Sequence, residues 1–197
     1  FFDYLWVYLF LVSIAVGSLA LVALEYLVGA TWSTPFRRVS EIMASMIPVL
    51  ILLAIPLFFG LHDLFHWTHH DVVETDAVLK AKSPYLNVEF FAIRTAFCLF
   101  IWFLFYWLIT KNSEKQDIDG DVKYTKRNIT LSTIFAPVFI VTITIAAIDW
   151  AMSLEPHWFS TIFGVYYFAG TIIAALAATT FASIKLKEGG YMDSRLG

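Results

Sequence analysis

Five stretches of this chain are so long and so apolar that lipid, rather than water, is the expected solvent around them. They run roughly from Tyr4 to Val28, Ile42 to Leu61, Phe90 to Thr110, Leu131 to Met152 and Thr161 to Ile184. A helix rises about 1.5 Å per residue, so about 20 apolar residues cross a hydrocarbon core about 30 Å thick. Lipid offers the backbone no hydrogen-bonding partner, which leaves helices and closed barrels as the spanning structures. These stretches lack the period-two alternation of barrel strands. They predict an all-α integral membrane fold of about five transmembrane helices, a single multi-pass domain over residues 1–197.

Charge supports the same reading. Only 15% of residues are charged, against roughly 25% in a soluble domain. The net charge of −3 is spread over the predicted loops and offers no basic face for nucleic acid. The one cysteine, Cys98, lies inside an apolar run, so neither an internal disulfide nor a thiolate-held metal or iron–sulfur centre is expected. Phe1 opens the chain without an initiator Met, and a piece of a longer protein is expected.

Within the second span Pro48 and Pro56 predict a kink, with a freed carbonyl satisfied by a neighbouring helix. Gly170, Ala174, Ala178 and Ala182 recur every four residues in the fifth span and predict close packing there. Orientation follows from Lys and Arg. One side carries Arg37, Arg38, Lys111, Lys115, Lys123, Lys126, Arg127, Lys185, Lys187 and Arg195, and the other carries Lys80 and Lys82. The richer side is expected to be cytoplasmic. The His62–Asn87 loop and the Ser153–Ser160 turn then face the periplasm or exterior, and Lys111 to Thr130 reads as a polar connector.

Polar residues at membrane depth cluster towards the outer end. Arg94 and Asp149 each lie about a turn inside it, His62, Asp63 and His66 leave the second span there, and Glu155 and His157 occupy the short outer turn. Intramembrane charges normally pair or line water, so Arg94 and Asp149 are the expected ion pair. Two roles compete for the cluster. The pair can simply fix helix register, or His62, Asp63, His66, Arg94, Asp149, Glu155 and His157 can form a proton half-channel open to the outside. Glu25, near the inner end of the first span, reads as an interfacial carboxylate or a matching inner element.

Other chemistries fit less well. His62 and His66, four apart, are expected on one helix face, and His66, Trp67, Thr68, His69 and His70 spell HxxHH. That box pattern belongs to membrane di-iron enzymes, but five histidines in all are too few for such a site. A b-type haem needs two imidazoles at similar depth on facing helices, and the one histidine apart from His62, His66, His69 and His70 is His157, in a turn beyond the membrane edge. Trp102, Phe103, Phe105, Tyr106 and Trp107 read as an interfacial belt and lipid-facing surface rather than a quinone pocket. A secondary transporter would place its polar residues nearer the midplane.

Four segments carry a family resemblance: Gly29-Ala-Thr-Trp-Ser-Thr-Pro-Phe-Arg-Arg38, Leu61-His-Asp-Leu-Phe-His-Trp67, Ser83-Pro-Tyr-Leu-Asn87, and the long run from Asp149-Trp-Ala-Met-Ser-Leu-Glu-Pro-His157 to Gly170. Together they resemble the F subunit of alternative complex III, a quinol:electron-acceptor oxidoreductase of the bacterial inner membrane. The likeness covers essentially the whole chain. It implies a fold of two four-helix bundles related to quinone-interacting subunits of the NrfD type. This chain would supply one bundle and the first helix of the second. It also implies no redox cofactor in this chain, with haem c and iron–sulfur clusters in partner subunits, among them a similar C subunit and an iron–sulfur B subunit. Quinone binding here is an alternative the resemblance leaves open. The half-channel suggested for the family maps onto Asp63, His66, Asp149, Glu155 and His157; Arg94 is added from depth and charge.

Overall fold

A computed structural model describes residues 1–30 and 33–191, and its described residues contain helices and no strand. The long elements are α1 (Phe2–Val28), α2 (Thr34–Ala44), α3 (Ile47–Phe59), α7 (Val88–Asp119), α8 (Lys123–Ala146) and α9 (Phe163–Glu188). Between α3 and α7 lie the short helices α4 (Leu61–Leu64), α5 (His70–Thr75) and α6 (Ala77–Lys82), with a 3-10 turn at His66–Thr68. A π-helical turn, Ala147–Ala151, continues α8. With α2 and α3 taken as one, five helices are long and apolar enough to cross a membrane. Arg195, counted above for orientation, and Thr31 and Trp32 of the first resemblance segment lie outside the described residues.

The first helix is the hub. It is apolar on all sides, its middle is mostly buried, and it packs against α2, α3, α8 and α9. The third long helix, α7, packs on α8 and α3, so that α1, α2–α3, α7 and α8 close a ring. The fifth, α9, lies outside the ring against α1, α8 and α2. Outward-facing side chains such as Trp6, Phe10, Leu52, Phe59, Ile93, Phe100 and Phe181 leave large apolar surfaces uncovered by protein.

Several expectations are corrected. The break in the second span falls at Ser45–Met46, between α2 and α3, and Pro48 sits in the first turn of α3, where its missing N–H costs no bond. Pro56 is interior, and α1 reaches the adjacent backbone: the Tyr4 hydroxyl donates to the Leu53 carbonyl at 2.8 Å. The predicted connector from Lys111 to Thr130 is mostly helix. Both α7 and α8 extend into it and turn around Gly120, whose φ of 66° suits a residue without a Cβ. Asn112 donating to Asn128 at 2.9 Å and Gln116 bonded to Thr125 at 2.7 Å hold the extensions together.

The small-residue packing of α9 is rotated from the expected ladder. Gly170 has open space around it, while the buried stripe is Gly164, Thr171, Ala175, Thr179 and Ser183. Opposite it on α1 is Gly17, where a Cβ would stand 2.6 Å from the Thr171 carbonyl oxygen and 2.8 Å from the Ala175 Cβ. The expected aromatic belt is also split. Trp102 and Phe105 are buried, with the Trp102 indole donating to Thr142 Oγ1 at 2.9 Å, and of the five aromatics only Trp107 is exposed.

Candidate functional site at the α7–α8 interface

Asn87 starts α7 by accepting the Phe90 amide on its side chain at 2.9 Å, a standard N-cap. Two turns on, Arg94 points into the bundle and meets Asp149 in the π-helical turn. Arg94 Nε donates to Asp149 Oδ2 at 2.6 Å and Nη2 to Oδ1 at 3.1 Å. The side chains are 8% and 1% exposed. The remaining guanidinium nitrogen, Nη1, donates to the Tyr85 carbonyl at 2.9 Å. The rings of Tyr85 and Phe90 cover the guanidinium, with centroids 3.8 and 4.3 Å from Cζ. Burial and the neighbouring Asp149 charge push the Tyr85 phenol up to about 12.

This is a closed, bidentate charge pair. A seam of neutral bonds continues along the same helices. Trp150 donates its indole N–H to Thr95 at 3.0 Å, Trp102 donates to Thr142, and Asn128 donates to the Ile109 carbonyl at 3.1 Å. Thr95, Thr142 and Trp150 were not singled out from the sequence, because uncharged polar residues within an apolar run give no depth signal, and Asn128 fell in the stretch read as a connector. The cavity beside the pair, lined partly by Thr95 and Trp150, is about 20 Å³, room for about one water.

The other expected residues do not join the pair in one pocket. His157 forms a surface knot: its Nε2 is 2.6 Å from Asp76 Oδ2 and its Nδ1 is 3.5 Å from Glu155. Lys82 donates to the Pro156 carbonyl at 2.6 Å, so the loop after α4 and the turn before α9 are laced together. His62 belongs to a second surface group, with Nδ1 3.1 Å from Thr68 Oγ1 and its ring 5.2 Å from that of His69. His62 and His66 do not share a helix face, because α4 ends at Leu64 and Phe65 is extended before His66 opens the 3-10 turn. Asp63 and His66 are exposed and enter neither group. Among the described residues, no three His, Cys, Asp or Glu side chains gather as a metal site requires. At the opposite end Glu25 is held by Arg37 at 3.0 Å.

Asp76 organises the surface knot. Desolvation pushes its carboxyl up, but hydrogen bonds from the Val78 and Leu79 amides and from His157 outweigh this and hold it below the usual carboxylate range. Its folded value is depressed, so its stabilising contribution is present above the unfolded value of about 4 and is lost as pH falls through the lower folded value. In Asp76→Ala, amide exchange over Ala77–Lys82 should be faster than wild type at pH 7. That difference should shrink as pH falls below about 4 and close only below the lower folded value, where the wild-type carboxylate protonates. Equal exchange at pH 7 would show that the cap does not hold the loop.

No protein-family model matches the chain, and no curated protein matches it.

Proposed function

We propose that this chain is an accessory integral-membrane subunit of a quinol-oxidising respiratory assembly of the alternative complex III type. It would lie in the bacterial inner membrane beside the similar C subunit and the iron–sulfur B subunit. Haem c and iron–sulfur clusters in partner subunits would carry the electrons. On this reading the five long helices sit in lipid, and α9 begins the second bundle. The loop holding His62–Asn87 and the Ser153–Ser160 turn face the periplasm.

The observation that carries the reading is where two resemblance segments meet. Ser83-Pro-Tyr-Leu-Asn87 supplies the carbonyl and ring of Tyr85 to Arg94, and the segment beginning at Asp149 supplies the carboxylate. Segments separated by more than 60 residues in sequence thus build one buried feature (their lysine-poor end is the predicted outer end). We assign that feature the role of a clamp. Both Asp149 oxygens are engaged by Arg94, and the pair is sealed, which suits a fixed α7–α8 register better than proton exchange. A second reading, a proton half-channel, draws on the knot of His157, Asp76 and Glu155 at the same end.

Topology tests the membrane reading. With His70→Cys and Lys115→Cys introduced separately, a membrane-impermeant maleimide should label the first in intact spheroplasts and the second only after permeabilisation. The reverse pattern would invert the orientation, and labelling of both in intact spheroplasts would contradict insertion.

A further inference from the structure

The surface knot holds a charge arrangement that the capping of α6 does not require. His157 presents both ring nitrogens to carboxylates, Nε2 to Asp76 Oδ2 at 2.6 Å and Nδ1 to Glu155 Oε1 at 3.5 Å. A neutral imidazole carries one N–H, so one of those nitrogens would turn a lone pair towards a carboxylate. The imidazolium carries two, and both contacts become attractive. The geometry is that of a protonated ring. Asp76 stands at the start of α6, Glu155 lies on the ring's own turn, and Lys82 of α6 donates to the intervening Pro156 carbonyl at 2.6 Å. These are the charged groups that bond or pair with residues 155–157 among the described residues.

What the knot fastens reaches the clamp. Leu79 of α6 is buried in the core. The Lys82 carbonyl, at the end of α6, accepts the Tyr85 and Leu86 amides at 2.9 and 2.8 Å. Tyr85 then gives its carbonyl and the face of its ring to Arg94. Lifting α6 from the 153–160 turn therefore loosens Tyr85 and uncovers one face of the guanidinium. Lysines and carboxylates ordinarily keep their charge between about pH 5 and 8, whereas an imidazole changes its own there.

We propose that His157 is a proton-operated latch, whose imidazolium holds α6 to the 153–160 turn and so keeps the Tyr85 cover closed over Arg94 and Asp149. Deprotonation leaves α6 held by the Lys82 contact and a neutral bond to Asp76, and the open cover becomes more populated. The proton stays on the ring; it sets how often the cover opens and does not travel to Asp149. The closed state binds this proton more tightly, so the latch contributes at the acid end of the range and is lost as pH rises. The Asp76 cap has the opposite sign, which separates the two. The latch depends on neither the membrane reading nor the partner subunits.

The test is residue-resolved amide exchange on the full chain in mild detergent, expressed as protection against the intrinsic rate at each pH. In wild type, residues 79–86 should be about threefold better protected at about pH 5.5 than at about pH 8, a step within the range of exposed ion pairs. His157 lies at the surface, so His157→Gln leaves the core intact. In that variant protection should be low and equal at both values. Lys82→Met should lower protection at both values and leave the step in place. Flat protection in wild type, a step of the opposite sign, or a step that survives in His157→Gln would each overturn the latch. A step confined to α6, with Tyr85 and Leu86 unchanged, would overturn its link to the clamp.

Discussion

Replacing Arg94 by alanine should lower the stability of the purified protein by about 3–5 kcal/mol, the cost of breaking a buried ion pair from one side. The cost comes from what remains. Asp149 is 1% exposed, and without Arg94 its carboxylate loses the one cation it pairs with among the described residues. It must either stay charged in a low dielectric or take up a proton, and both are unfavourable relative to the paired state. Lost packing under Tyr85 and Phe90 adds to the effect. An apolar pair of similar volume, Arg94→Met with Asp149→Leu, should recover most of the loss, because it removes both desolvation penalties. Denaturant unfolding in micelles reads both. A loss below about 1 kcal/mol for Arg94→Ala would place the pair among weak, water-screened ion pairs.

The second large effect concerns Asp149→Asn within the respiratory assembly proposed above, reconstituted in liposomes. Asn keeps the shape and removes the charge, leaving Arg94 as a buried cation. Assembled complex should fall about tenfold or more, as a destabilisation above about 1.4 kcal/mol implies. Quinol oxidation and the accompanying pH change should fall together, so that protons moved per quinol stay as in wild type. Preserved oxidation with fewer protons per quinol would make Asp149 part of a proton path and replace the clamp with the half-channel.

Much of the architecture was legible in the sequence because membrane-length apolar runs leave the backbone few options. The Arg94–Asp149 contact was legible for a related reason. Two opposite charges at matching depth on separate spans have few other partners. What was not legible depends on rotation and on tertiary stops. Small residues occupy more than one face of α9, so periodicity alone does not choose between Gly170, Ala174, Ala178 and Ala182 and the stripe through Thr171, Ala175 and Thr179. The close approach of Gly17 selects the latter. Likewise the spacing of His62 and His66 predicts a shared face only if the helix continues, and the extended Phe65 ends it. Beyond Thr110 the polar residues resemble a loop by composition, yet Asn112 and Gln116 find partners across a helical hairpin.

The central claim is that this chain serves a quinol-oxidising assembly without carrying the electrons itself. Purification of the epitope-tagged protein from its native membranes in mild detergent, with an optical spectrum and subunit identification on one peak, tests it most directly. The account predicts co-elution with haem c- and iron–sulfur-bearing subunits and quinol oxidation by that peak, while the chain separated from its partners shows no haem absorbance and no stoichiometric iron. Elution apart from any redox subunit, or iron that stays with the isolated chain, would contradict it.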